Sequence, residues 1–228
     1  INLFVGSNTV AKVGKAEVPV QMETNYPWEG TVKVTLQPKS KVKMTLNLRI
    51  PGWARGEAVP GDLYVFEDKT SSPFTLLVNG KPANYTLNNG YAVVDREWKK
   101  GDVVELTLPM EVKRIVSRKE LKQNEDRVAL QRGPLVYCVE GADNNGQAWN
   151  LTLPDKATFK TNFQPDLLEG ITTIQFEAPT LQVATDGQSV STETKTITAI
   201  PYYAWCNRGQ NPMQVWLPRK IKDIKVNY

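Results

Sequence analysis

Two carboxylates facing each other about 5 to 10 Å apart across a sugar are enough for glycoside hydrolysis. Glu23, Glu29, Asp95, Glu97 and Glu140 all fall in or near stretches that read as strands. The sequence sets no two of them opposite one another, so each is expected to be a solvated or hydrogen-bonded structural carboxylate. Ser40-Lys41-Val42-Lys43 has the spacing of a Ser-x-x-Lys nucleophile. That serine normally opens a helix, whereas a strand pattern follows here, so the match carries no chemistry. Gly-rich phosphate loops and Ca²⁺ loops of the required acidic spacing do not occur. Asp143-Asn144-Asn145-Gly146 reads as a turn.

The sequence contains 0 histidines and 2 cysteines, Cys138 and Cys206. Without histidine there is no Ser-His-Asp or Cys-His catalysis, no His-ligated zinc, and no ordinary general base near neutral pH. Two cysteines alone do not build a zinc site. Their pairing stays open at this level, with buried free thiols the simpler expectation. Aromatics offer a different chemistry, since sugars stack on exposed rings. Tyr26-Pro27-Trp28 sits in a turn, and Tyr202, Tyr203 and Trp205 follow Pro201. These five are the candidates for carbohydrate or interdomain contact, the latter being the commoner use of aromatics at strand ends. Trp53 and Trp98 follow strand-and-turn patterns and are expected to cap a core.

Period-2 patterning must position these groups. Val18, Val20 and Met22 alternate with polar or turn residues, as do Val32, Val34 and Leu36, and then Val42, Met44, Leu46 and Leu48. Each reads as a strand with one buried and one wet face. Asn79-Gly80 and Asn89-Gly90 are hairpin signals, and Lys100-Gly101-Asp102 turns the chain into Val103 to Leu108. Residues 109–126 are charge-rich and read as a connector holding one short strand, Val112 to Val116, and a helical turn within 117–124. Further strands are predicted at Val128 to Leu130, Leu135 to Val139, Trp149 to Leu153, Thr172 to Phe176, Thr194 to Ile200 and Gln214 to Leu217. Residues 141–147 and 179–193 read as long loops. Strands about ten residues apart, without an amphipathic helix, predict an all-β chain of two antiparallel β-sandwich, jelly-roll-like domains in tandem.

The composition fits that picture. The chain has 228 residues, 40% hydrophobic and 23% charged, which is globular rather than disordered. Its net charge of +4 comes from 28 basic and 24 acidic residues, and lysines such as Lys33, Lys41 and Lys43 alternate with apolar residues. That is a solvated strand face, not a basic stripe with exposed aromatics, so a nucleic-acid partner is not expected. A membrane is not expected either, because no apolar run approaches roughly 18 residues. The opening on Ile1, inside an apolar segment, reads as the middle of a protein.

Several stretches resemble one family. They are Leu48-Arg49-Ile50-Pro51-Gly52-Trp53-Ala54, Val78-Asn79-Gly80, and Gly90-Tyr91-Ala92 with Arg96, Trp98 and Gly101-Asp102. Next come Arg127-Val128-Ala129-Leu130 and Arg132-Gly133-Pro134-Leu135-Val136-Tyr137-Cys138 with Glu140. The last is Ala199-Ile200-Pro201-Tyr202-Tyr203-Ala204-Trp205 with Asn207-Arg208-Gly209 and Val215-Trp216. In this order they are similar to the β-L-arabinofuranosidase-like glycoside hydrolases, family 127. The resemblance implies two β-domains, 1–110 and 111–228, that follow an (α/α)₆ catalytic barrel. Whether the last strands return to the first domain's sheet is left open. It also implies that the nucleophilic cysteine, the acid/base glutamate and the zinc site belong to the barrel. No catalytic residue, cofactor or metal is therefore expected in this chain, and none of those roles is carried onto Cys138 or Cys206. The expected role is that of a bacterial, non-catalytic accessory region that packs on the barrel of a hydrolase acting on arabinose-containing glycans. The alternative is a carbohydrate-binding module using Tyr26, Trp28, Tyr202 or Tyr203. An oligomer is open, and a periplasmic or secreted parent is favoured over a cytoplasmic one.

Overall fold

A computed structural model describes residues 1–70, 72–183 and 189–224. In the first half the strands are β1 (Ser7–Val13), β2 (Ala16–Thr24), β3 (Thr31–Leu36), β4 (Val42–Arg49), β5 (Tyr64–Phe66), β6 (Thr75–Val78), β7 (Lys81–Pro82), β8 (Thr86–Asn88), β9 (Tyr91–Trp98) and β10 (Asp102–Thr107). In the second half they are β11 (Val112–Ser117), β12 (Arg127–Arg132), β13 (Leu135–Glu140), β14 (Lys160–Gln164), β15 (Ile171–Val183), β16 (Val190–Pro201), β17 (Met213–Gln214) and β18 (Leu217–Pro218). All pairings are antiparallel, and the chain divides into two antiparallel β-sandwich units.

The first unit comprises Ile1–Pro60 and Lys69–Glu111. One sheet runs β1-β2-β3-β10-β6-β7 and the other β4-β9-β8. Alternation places Val32, Val34 and Leu36 of β3 beside Val104 and Leu106 of β10, all shut off from solvent. Leu48, Ala92, Val94 and Trp98 of the second sheet complete the same core. Burying each such side chain is worth about 1.5 to 3 kcal/mol. Trp98 is fully buried, and its indole N–H donates to the Met44 carbonyl at 3.0 Å, so its one polar atom is satisfied. The Asn-Gly hairpins form because both central residues take positive φ, Asn79 at 52° and Gly80 at 73°, Asn89 at 47° and Gly90 at 80°.

The second unit comprises Gly61–Asp68 and residues 112–224. Its main sheet runs β14-β15-β16-β13-β12-β11-β5, with β17 on β13 and β18 on β12. Val128, Leu130, Tyr137, Val139, Ile174, Phe176 and Ile197 form its core with Leu151, Leu153 and Leu217. Here β5 pairs β11, so a strand from the first half of the sequence belongs to the second unit. The last described strands, β17 and β18, pair within the second unit.

Several local expectations change. Trp149 to Leu153 is not a strand: Leu151 makes only an isolated bridge to Thr180. Residues 179–193 are in large part strand, because β15 and β16 extend in register from Ile174↔Ala199 to Val183↔Val190. The Thr-rich composition suggested a loop, but threonine is β-branched and suits a strand with a wet face. Residues 184–188 of that predicted loop lie outside the described residues. The helical turn in 117–124 is the 3₁₀ turn Lys122–Asn124.

Candidate functional site

The predicted carboxylates are mostly spent on wet-face pairs set by strand register. Glu23 lies opposite Lys33 and their charged groups meet at 3.3 Å. Asp95 lies opposite Thr45 and accepts its hydroxyl at 3.1 Å, and Glu97 meets Lys41 at 3.0 Å. Glu29 is exposed in a turn. Among the described residues two acidic side chains are buried, Asp102 in the first unit and Glu140 in the second.

Asp102 opens β10, where the turn brings it back against both neighbouring hairpins. Its Oδ2 accepts the Lys99 N–H at 3.0 Å, and its Oδ1 accepts the Asn79 amide at 2.9 Å. The Asn79 Oδ1 in turn accepts the Val103 N–H at 2.9 Å. Burial pushes the Asp102 carboxyl upward. The Lys99 N–H, the Asn79 amide and the charges of Arg96 and Lys99 outweigh that, and its pKa is lowered.

Glu140 is the last residue of β13, and the chain then enters the 3₁₀ turn Gly141–Asp143. Gly141 is confined: a Cβ there would lie 3.0 Å from Pro212 Cδ and 3.1 Å from the Gly146 carbonyl carbon. At the other end of the sheet's long strand, β16 closes on Pro201 and a second 3₁₀ turn, Tyr202–Ala204. The loop after it returns to Glu140. Glu140 Oε1 accepts the Cys206 N–H at 3.2 Å, and Glu140 Oε2 accepts Arg208 Nη2 at 2.6 Å. Asp143 takes Arg208 Nη1 at 2.7 Å and Nη2 at 2.5 Å. Hydrogen bonds from the guanidinium to Asp143 and Glu140, against the cost of burial, hold Arg208 firmly protonated. Cys138, on the same face of β13 as Glu140, is buried. Burial first, and then the charges of Glu140 and Asp143, push its thiol up to about 12. Cys206 is exposed, contrary to the expectation of two buried thiols, and takes a positive φ of 68° where the loop turns toward Glu140. Both cysteines are free.

This anchored loop carries an aromatic ledge. In a 3₁₀ turn residues i and i+3 eclipse, and Trp205 donates its N–H to the Tyr202 carbonyl at 3.1 Å. Tyr202 and Trp205 therefore stand with their rings 6.3 Å apart and within 8° of parallel. Tyr202 is 47% exposed, Tyr203 60% and Trp205 38%, so the three together present ring surface to solvent. The other two candidates belong to the first unit. Tyr26 meets Phe4 edge-on at 5.5 Å and packs against the core, and Trp28 is half-buried. The five residues thus divide between the units, two in the first and three in the second.

Sequence reasoning named Glu140 and Arg208 inside two different motifs but did not join them, and it read Asp143 as a turn residue. The signal available was a buried acid at a strand end and an arginine in a later loop. More than sixty residues separate them, and periodicity does not bridge such a gap. Arg208 Nη2 bridges the two carboxylates, at 2.6 Å from Glu140 and 2.5 Å from Asp143, and so ties the loop after β16 to the end of β13. Among the described residues, no group of three or more His, Cys, Asp or Glu is placed to hold a metal ion.

Comparison with known proteins assigns both units. Residues 1–110 match the family described as β-L-arabinofuranosidase, GH127 middle domain, and residues 112–218 match the glycoside hydrolase family 127 C-terminal domain. A non-reducing end β-L-arabinofuranosidase of Bifidobacterium longum subsp. longum is 35% identical over 218 residues, covering 88% of this chain and 30% of that protein. A solved GH127 β-arabinofuranosidase superposes with a TM-score of 0.91 at 36% identity, over 98% of this chain and 35% of its own. A GH127 β-L-arabinofuranosidase from Geobacillus stearothermophilus T6 gives 0.81 at 38% identity, over 96% and 33%. The chain thus spans about a third of the length of these relatives. It belongs to glycoside hydrolase family 127, of which it carries the middle and C-terminal domains.

Proposed function

We propose that this chain is a non-catalytic accessory region of a glycoside hydrolase acting on arabinose-containing glycans, and that it packs on and stabilises an (α/α)₆ catalytic domain. The observation that carries this reading is the engagement of both buried carboxylates. Glu140 is held by Arg208 and the Cys206 N–H, and Asp102 by Asn79 and Lys99. Both are tied up in hydrogen bonds rather than facing open space, and Cys138 is buried with its thiol pushed up to about 12, the opposite of an activated nucleophile. Exposed apolar side chains supply surface for a protein partner: Leu3 at 70%, Val5 at 62% and Val10 at 53% in the first unit, and the aromatic ledge in the second. The nucleophile, the acid/base residue and any zinc would belong to the catalytic domain.

A direct test joins the chain to a family 127 catalytic domain and compares Val10→Lys with the parent. Val10 is exposed on β1, so the substitution should leave the isolated chain within about 0.5 kcal/mol of its parent stability. In the joined protein it should lower the melting temperature of the catalytic domain. Equal melting temperatures for V10K, and likewise for L3S and V5S, would remove the packing role.

The parallel, exposed rings of Tyr202 and Trp205 favour a second reading, in which the ledge stacks on a sugar face. In that case Tyr202→Ala and Trp205→Ala would abolish glycan binding by the isolated chain.

A further inference from the structure

Three Asn-Gly pairs occur in the chain, at 79–80, 89–90 and 145–146. Such a pair is chemically fragile, because glycine has no side chain to keep its backbone nitrogen away from the asparagine amide before it. Once that nitrogen has lost its proton to base, it forms a bond to Cγ, the Cγ–Nδ2 bond breaks and ammonia leaves. Water then opens the five-membered imide. Breaking the new Cγ–N bond gives aspartate. Breaking the original peptide C–N bond gives isoaspartate, in which the chain runs through Cγ. Water enters and ammonia departs, with no change of oxidation state.

All three asparagines are exposed and take positive φ, 52° at Asn79, 47° at Asn89 and 55° at Asn145. Exposure and φ do not separate them, but hydrogen bonds do. Asn79 is held at both ends of its amide. Its Nδ2 donates to the Asp102 carboxylate at 2.9 Å, and its Oδ1 accepts the Val103 N–H at 2.9 Å. Both bonds must break before its Cγ can swing toward Gly80. At Asn145 the nucleophile is engaged instead. The Gly146 N–H donates to the Gly141 carbonyl at 2.8 Å, and the Gly146 carbonyl carbon lies 3.1 Å from where a Cβ on Gly141 would stand. Asn89 has neither restraint. Among the described residues its side chain makes no hydrogen bond, and the Gly90 N–H donates to no carbonyl. Ring closure needs the turn to open briefly, and exposed turns sit at the low end of local opening free energies.

We propose that Asn89 is a site of spontaneous deamidation in the folded protein, and that the fold shields Asn79 and Asn145 from the same reaction. The product sets a carboxylate beside Arg55, whose Nη2 lies 3.7 Å from where a Cβ on Gly90 would stand. Arg55 otherwise pairs with Glu57 at 3.3 Å. As isoaspartate the product also adds one carbon to the backbone of the hairpin between β8 and β9. That shifts Gly90, whose carbonyl accepts the Ile50 N–H at 2.7 Å and so ties the hairpin to the chain leaving β4.

Peptide mapping by mass spectrometry, after incubation of the 228-residue chain at pH 8 in buffer and in urea, tests this. In the folded chain Asn89 should convert at least about tenfold faster than Asn79 or Asn145, a factor that one or two ordinary hydrogen bonds supply. In urea the three should convert at similar rates, since each then keeps only its Asn-Gly pair. Asn89→Gln would have to close a six-membered ring, so it should remove most of the ammonia released by the folded chain while leaving cooperative unfolding intact. Equal rates at the three sites in the folded chain overturn the proposal. So does an Asn89 that converts only in urea, or ammonia release that is unchanged in N89Q.

Discussion

Arg208 reaches Glu140 through a single 2.6 Å contact between Nη2 and Oε2, and Glu140 is wholly shut off from solvent. The same nitrogen also holds Asp143. This contact fastens the aromatic loop to the end of β13, so it governs both the stability of the second unit and the presentation of the ledge. Arg208→Met would leave a buried, negatively charged carboxylate without its counter-charge. The expected loss is about 3 to 5 kcal/mol, read from urea unfolding of the second unit. Glu140→Gln in the same background should recover part of it by removing the orphaned charge. A loss below about 1 kcal/mol for R208M would place the contact among ordinary surface ion pairs.

Asp102 makes the first unit acid-sensitive. Its lowered pKa means that the folded state favours the carboxylate more than the unfolded chain does. The resulting stability is fully present above the unfolded value near 3.9 and is lost as pH falls through the lower folded value. Asp102→Asn should cost about 1 to 3 kcal/mol at pH 6, because an amide hydrogen then faces donors. The gap between variant and parent should close as pH is lowered below about 4. A gap that stays constant down to pH 2.5 would mean that the carboxylate charge contributes nothing.

The two thiols should separate cleanly in reactivity. Cys138 is buried with its thiol pushed up to about 12, whereas Cys206 is exposed in a loop. Only thiolate reacts with a maleimide or a disulfide reagent. In the native protein at pH 8 one thiol should label quickly, mapping to Cys206, and the second only after denaturation. Native labelling of Cys138 at a comparable rate would contradict the burial.

Much of the first unit was legible in the sequence because its signals are local. Val32, Val34 and Leu36 alternate within one strand, and the Asn-Gly pairs at 79–80 and 89–90 dictate their own positive φ. The second unit was harder, for two reasons. Its longest strand pair is threonine-rich and half wet, so it lacks the apolar alternation by which strands are recognised, and residues 179–193 read as a loop. Its key contacts also join distant motifs: Glu140 to Arg208, Asn144 to Thr198, and β5 to β11. The aromatic candidates were found by composition. Their grouping depended on the 3₁₀ turn at Tyr202–Ala204, which no sequence period announced.

The accessory reading is tested most directly by calorimetric titration of arabinan, arabinogalactan and arabinose oligosaccharides into the 228-residue chain. The expected result is no saturable heat at millimolar sugar from a protein that still unfolds cooperatively. Saturable binding that disappears in Trp205→Ala or Tyr202→Ala would contradict it and make the ledge a carbohydrate-binding surface.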